Sequence, residues 1–390
     1  MKNLYIGTIF IMLILLTCTI QAKDEEFQPV YESSPKEAVI YNGNTALIKD
    51  MLTVYAEKHV SVLLPASIVL ESLTIKDNGS PVKSCFFDTK NQGGLYKLNW
   101  QSNSPGKRNV ELNYLINGIN WKPAYNMNIL DDTKVDFSYN VIITNNGTDL
   151  KDVTVKLVSG LIGSENNNNQ RYNYNMTMTQ AALPDTGEYS SATGSERVNA
   201  YYTYDLGSQT INKSGITNIN LITKNLSCTK NIVWDTRKGQ RVDVIYKVLN
   251  DSDKPFAEGL VRIYQQGLYM GSDYVEWTPP GSKGSITMGG LSDIRVKKTV
   301  SIEEDVEKRG TKEYHHKIIL EINNFDSKDL KLKVMDTKYP DRTDVKYDTS
   351  PSEEIGKTVI WEITVPAKGN KKINYEFYSD SCYSEPYGNY

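Results

Sequence analysis

Two stretches decide the fold: VELNYLINGINWKPAYNMNIL at residues 110–130 and KVDFSYNVIITNNGTDLKDVTVKL at residues 134–157. In the first, Val110, Leu112, Tyr114 and Ile116 alternate up to Asn117-Gly118, and Ile119, Trp121 and Tyr125 resume beyond it. In the second, Val135, Phe137, Tyr139, Val141 and Ile143 alternate up to Asn146-Gly147, with Val153, Val155 and Leu157 returning. A period of two places every apolar side chain on one face of an extended ribbon. Asn-Gly tolerates the positive φ angles of a type I′ turn, so each site predicts a meander hairpin. The same signal stands at Asn42-Gly43, between apolar runs 38–41 and 45–48, and at Asn78-Gly79, between runs 68–75 and 82–87.

Outward from this region the chain reads the same way. No window of a dozen residues holds a 3.6-residue apolar stripe between caps. The segment Ser301 to Arg309 has helix-forming composition, but only Ile302 and Val306 would face a core, so it reads as a charged strand pair or a loop, with a short helix as the alternative. Strands at regular short intervals with turn residues between them predict an all-β chain of tandem β-sandwich units, the last immunoglobulin-like. Composition divides it into a signal peptide at 1–22, an N-terminal β domain at 23–105, a central β-sandwich at 106–297, an immunoglobulin-like β-sandwich at 298–379 and a polar tail at 380–390. Within the central unit, residues 164–198 crowd Asn, Gly, Ser, Thr and Tyr without apolar period. Such a tract buries too little surface to offset its ordering entropy, and predicts a mobile insertion.

The first 22 residues carry Lys2, an apolar run from Leu4 to Leu16 and a small Ala22 before Lys23-Asp24-Glu25-Glu26. This is the layout of a cleaved secretory leader; an uncleaved anchor, or lipidation at Cys18, would equally place the rest outside the cytoplasm. The 390 residues hold 44 Lys+Arg against 47 Asp+Glu, which excludes nucleic-acid binding by bulk charge. With 3 His and 4 Cys, histidine-based catalysis and His/Cys metal sites are short of parts, and no cofactor is expected. Past the leader, Cys85, Cys228 and Cys382 leave room for one disulfide among them, or for none.

The segment Ile119-Asn-Trp121-Lys-Pro123-Ala-Tyr125, with Val141-Ile-Ile-Thr-Asn145-Asn-Gly147-Thr-Asp149-Leu150 and Val155-Lys-Leu157-Val-Ser159-Gly160, resembles the core pattern of the mucoidy-inhibitor-A-like family, whose C-terminal domain has no assigned function. Val261-Arg-Ile-Tyr264, Gly271, Gly289, Ile322-Asn-Asn324 and Trp361 fit the same pattern. Ala46-Leu-Ile48 with Leu63-Leu-Pro65-Ala-Ser-Ile68 is similar to that family's short N-terminal domain. The resemblance spans residues 36 to 379 and implies a β-rich architecture. Many members insert a coiled coil between the two domains, whereas here Gln101 to Gly106 is the whole linker. It implies no reaction, catalytic residue or ligand.

Candidate site residues are few. Trp121, Pro123 and Tyr125 alternate on one strand, as an aromatic shelf for a sugar or proline-rich peptide or, on the blander reading, as core with Pro123 at a strand end. Tyrosine is frequent, 26 residues, and Tyr172 and Tyr174 stand in the insertion among Asn, Ser and Thr, a mixture suited to adaptable contacts. Sequons at Asn78, Asn146, Asn175, Asn212, Asn225 and Asn250 mark N-glycosylation candidates in an exported chain. Acidic groups at Asp131-Asp132, Asp251-Asp253 and Glu303-Glu304-Asp305 lack calcium-loop spacing and read as solvated turns. Together these readings predict a non-enzymatic, exported cell-surface or envelope protein with a structural or binding role. Its partners would be surface proteins or glycans, and it would meet a membrane only through an uncleaved or lipidated N-terminus. The alternative is a secreted carbohydrate-active hydrolase using two carboxylates.

Overall fold

The computed structural model describes residues 29–159, 201–305, 313–337 and 345–379. Among them the chain is almost wholly strand, and the one helical element is a single 3-10 turn, Thr236–Lys238. The first strands are β1 (Val30–Glu32), β2 (Pro35–Tyr41), β3 (Thr45–Ala56), β4 (His59–Pro65), β5 (Ile68–Asp77), β6 (Ser80–Pro81), β7 (Cys85–Gln92), β8 (Leu95–Gln101) and β9 (Gly106–Asn117). Next come β10 (Ile119–Ile129), β11 (Lys134–Asn145), β12 (Leu150–Ser159), β13 (Tyr202–Ile211), β14 (Gly215–Asp235), β15 (Val242–Leu249), β16 (Gly259–Gln265), β17 (Leu268–Val275) and β18 (Lys283–Gly290). The last seven are β19 (Ile294–Asp305), β20 (Glu313–Asn324), β21 (Leu330–Thr337), β22 (Lys346–Tyr347), β23 (Glu353–Ile355), β24 (Thr358–Val365) and β25 (Asn370–Ser379). The all-β sandwich class expected from the alternation is what the chain forms, and Ser301 to Asp305 continues strand β19. No helix among the described residues is long and apolar enough to cross a membrane.

The chain separates into two compact units, and three of the five boundaries between them fall within strands. Among the described residues, the first comprises 29–33, 52–66 and 75–111, and the second 34–51, 67–74 and those between 112 and 379. Strands β3, β5 and β9 each contribute one end to each unit. In the first unit, β1-β4-β8-β7 form a sheet, with β1 parallel to β4 and β4 antiparallel to β8. Val60, Val62, Leu64, Leu98 and Trp100 are buried there. Beside them the buried Arg108 guanidinium pairs with Asp77, whose other oxygen accepts from Trp100 Nε1 at 3.3 Å.

The second unit takes in all or part of three sheets, two of them large. One runs β13-β12-β2-β3-β9-β5-β6; the other runs β17-β16-β10-β11-β14-β21-β24-β23, with β15 joined to β14 and β18 to β15. The apolar faces read from the sequence are the buried ones. Val135, Phe137, Tyr139, Val141 and Ile143 are all fully buried, as are Val153, Val155 and Leu157.

Two of the four Asn-Gly sites are not hairpins. Asn78 (φ 48°) and Gly79 (φ 79°) make the expected type I′ turn between β5 and β6. Asn42 and Gly43 sit in a turn whose left-handed residue is Asn44 (φ 65°), still joining the antiparallel β2 and β3. At Asn117-Gly118 and Asn146-Gly147, however, the chain changes sheets: β9 pairs with β3 and β5 while β10 pairs with β11 and β16, and β12 returns beside β2. The two corners pack on each other, Asn146 N–H donating to the Gly118 carbonyl at 2.6 Å. A Cβ on Gly147 would stand 2.8 Å from the Asn117 oxygen, so the second corner requires glycine for close approach.

Strand β14 is 21 residues long and serves three partners, with Cys228 to Trp234 antiparallel to β15. Its first part pairs with β11; its last residues run parallel to β21, from Val233 opposite Lys333 to Asp235 opposite Met335. The C-terminal sandwich is thereby continuous with the central sheet. Its second sheet is β19-β20-β25-β22, and Trp234, Val296, Leu320, Val334, Trp361 and Ile373 form its core. Each buried tryptophan removes roughly 150–250 Å² from water, worth at most about 4–6 kcal/mol at ~25 cal/mol/Å².

Candidate functional site

Trp121 and Tyr125 point inward, so the aromatic shelf does not exist as a surface. Trp121 is 1% exposed, its Nε1–H donating to the Val158 carbonyl at 3.1 Å. Tyr125 is fully buried, its hydroxyl donating to the Ala257 carbonyl at 2.6 Å. Both belong to an aromatic cluster: Trp121 meets Tyr204 edge-on at 5.8 Å, and Tyr125 lies 4.6 Å from Tyr139. Burial pushes the hydroxyls of Tyr125, Tyr139 and Tyr204 well above the ordinary tyrosine range, keeping them neutral. The physical reason is period two: these residues share a face with Met127 and Ile129, and that face is the core.

The remaining candidates separate. Tyr172, Tyr174, Asn175 and Cys382 lie outside the described residues, as do residues 1–22, the insertion 164–198 and the tail. Asn78, Asn146, Asn212 and Asn225 are exposed. Asn250 is not: it is fully buried, its Nδ2 donating at 2.9 Å to both Lys254 and Thr278 carbonyls. That nitrogen has spent both its hydrogens, so the folded chain withholds Asn250 from glycosylation. Among the described residues, Cys85 and Cys228 are free thiols. Burial, reinforced by the carboxylates of Asp131 and Asp132, pushes Cys228 up to about 11.

The acidic groups act locally. Asp131 Oδ1 accepts from both the backbone N–H and the hydroxyl of Thr133, closing a turn, and Thr133's hydroxyl foremost holds that carboxyl below its usual value. Asp132 pairs with Lys230, Asp251 with Lys224 and Glu303 with Lys317. His59 opens β4 in an exposed position, while His315 and His316 face opposite ways: His315 sits 3.0 Å from Glu376 and His316 is buried 2.7 Å from Ser379 Oγ.

Two features escaped the sequence reading. The first is a repeated asparagine pin. Asn145 and Asn324 are the last residues of their strands, Asn250 directly follows β15, and all three are buried. In each, Oδ1 accepts from the backbone N–H two residues on, Gly147, Ser252 or Asp326, at 2.9–3.1 Å. Each Nδ2 reaches a carbonyl three or four residues on and another from a distant segment: Ile211, Thr278 or Val365. An alternating run that stops at Asn is the signal for this pin.

The second is the outer face of the central sheet, opposite the aromatic core. Register aligns three rows across five strands. The first is Tyr274, Leu260, Ala124, Asn140 and Asn220; the second is Ser272, Arg262, Asn126, Ser138 and Thr223. The third is Tyr269, Tyr264, Asn128, Asp136 and Asn225. Side-chain hydrogen bonds stitch the rows together. Asn220 Nδ2 donates to Asn140 Oδ1 at 3.0 Å, Thr223 Oγ1 to Asn220 Oδ1 at 3.2 Å, and Asn140 Nδ2 to Ser138 Oγ at 3.4 Å. Tyr264 and Tyr269 pair at 5.6 Å, and Tyr269 and Tyr274 are more than half exposed. These rows form a near-neutral array of amides and hydroxyls with tyrosines at one margin.

A profile of the family described as a domain of unknown function, DUF4139, matches residues 110–380. No curated protein matches the chain.

Proposed function

Because this chain belongs to the DUF4139 family, a domain of unknown function, its task has to be read from its own surface, and we propose a non-enzymatic protein of the cell surface or envelope that works by contact. We further assign it to the mucoidy-inhibitor-A-like group, with residues 23–105 as that group's short N-terminal domain. The observation that carries the contact role is the outer face of strands β10, β11, β14, β16 and β17, where a side-chain network is held in place by register rather than by flexible loops. The leader-like residues 1–22 support an exported location. The buried carboxylates support a structural use of acids: Asp77 answers Arg108, and Asp336 answers Lys298.

The test is to incubate the purified chain with isolated cell-surface material and follow two readouts, retained protein and released reducing ends. Retention without release supports the contact role. Release that a single Asp or Glu substitution abolishes would establish the competing hydrolase instead. Mass spectrometry of the native protein adds the N-terminus, lipid and glycans, and an intact residue 1 on a cytoplasmic protein would sink the exported location.

A further inference from the structure

We propose that the outer face of β17-β16-β10-β11-β14 is a binding site for a neutral, extended polysaccharide; this rests on the contact role above and names its ligand class. Three properties of the face lead to it. Charge comes first. Across the three rows stand one cation, Arg262, and one anion, Asp136, so these rows carry no net charge. A nucleic acid or an acidic glycan needs a basic surface, which this is not.

Donor and acceptor capacity comes second. A carboxamide offers two N–H donors and an oxygen with two lone pairs, and a hydroxyl offers both functions at once. Sugar hydroxyls have the same dual character. Asn126, Ser138, Asn140, Asn220 and Thr223 are already linked by side-chain hydrogen bonds of 3.0–3.5 Å, which fixes their rotamers before a ligand arrives. Ordering those side chains is part of the entropic cost of binding, and here folding has met it.

Shape comes third. Five strands at about 4.8 Å spacing give a row of about 19 Å, long enough for a chain of several sugars lying across the strands. At one margin Tyr264 and Tyr269 present rings inclined at 58°, and Tyr274 stands in the parallel row. Tyrosine supplies broad amphipathic area with little rotamer loss, matching the apolar ring faces of a sugar while its hydroxyl stays wet. An added protein strand would dock on a sheet edge instead, and a second copy would need a larger apolar centre than Leu260 and Ala124 provide.

The test is affinity electrophoresis of the full chain in native gels containing a soluble β-glucan, xylan, galactomannan or dextran, with alginate as the acidic control. Retardation by at least one neutral polysaccharide is expected. Tyr269→Ala and the double substitution Asn126→Ala with Asn220→Ala should each weaken it about tenfold, the equivalent of about 1.4 kcal/mol. Lys372→Ala, on the C-terminal sandwich, should leave it unchanged. All the substituted positions are at least partly exposed, and matched melting curves show that each variant folds. No retardation by any of the four, retardation only by alginate, or retardation indifferent to the face variants would each overturn the polysaccharide site. Retention of the chain on isolated cell-surface material would in those cases leave the contact role standing, whereas release of reducing ends would sink the contact role itself.

Discussion

Lys298 is the position where a single substitution should report most clearly on the C-terminal sandwich. It points inward from β19 in line with Ile294 and Val296, and its Nζ lies 2.8 Å from Asp336 Oδ1, a residue 1% exposed. The same carboxylate accepts from Thr236 Oγ1 at 2.6 Å, from the Thr337 N–H at 2.8 Å and from the Tyr375 hydroxyl at 2.9 Å. Lys298→Met keeps the aliphatic stem and removes the countercharge. Breaking a buried pair from one side costs roughly 3–5 kcal/mol. Three remaining donors hold this case near the low end, so about 3 kcal/mol is expected, or a ~150-fold change in the opening equilibrium at 1.36 kcal/mol per decade. Hydrogen exchange followed by mass spectrometry on peptides from β21 and β24 reads that change locally, whatever the other unit does. Lys298→Met combined with Asp336→Asn should regain part of the protection, because no bare charge is left buried and the amide oxygen still accepts from the buried donors. Exchange within about threefold of the parent in Lys298→Met, or a double variant no better protected than the single, would refute the reasoning.

Three further outcomes follow from other sites. Gly147→Ala forces a Cβ against the Asn117 carbonyl and should cost about 1–3 kcal/mol by calorimetry, while Gly43→Ala, which meets nothing within 4 Å, should be neutral. At neutral pH a thiol reagent should modify the exposed Cys85 in the folded chain and reach Cys228 only after unfolding. Because Cys228 is raised to about 11, its contribution to stability is complete below the unfolded thiol value of about 8.5 and declines as pH climbs toward 11; a flat alkaline stability profile would contradict this. Expressed in a glycosylating host, the chain should carry no glycan at Asn250, and Asn250→Ala should lower the melting temperature by a ΔΔG of about 2–3 kcal/mol, since it strips four hydrogen bonds from a buried loop.

The alternation in residues 110–157 was enough to specify strands, their inward faces and the all-β class, because period two is a property of each ribbon by itself. Trp121 and Tyr125 were legible as core for the same reason. The asparagine pins were half legible. Asn145, Asn250 and Asn324 announce their turns through the residue two places on, but the third contact of each comes from a segment 28 to 66 residues away.

What only the tertiary structure decided is which ribbons lie side by side. Gly118 and Gly147 look like hairpin glycines, and nothing local distinguishes a strand that folds back in its own sheet from one that crosses to the facing sheet. That choice is made by burial of the second apolar face and sets β10 parallel to β16, with Ala124 opposite Leu260. The polar residues of β10, β11 and β14 occupy the solvent side of separate ribbons in the sequence. They become one surface, with Asn140 beside Asn220 and Asn126 beside Ser138, only because long-range pairing aligns them. Local periodicity therefore determined what each strand buries, and non-local register determined what the protein displays.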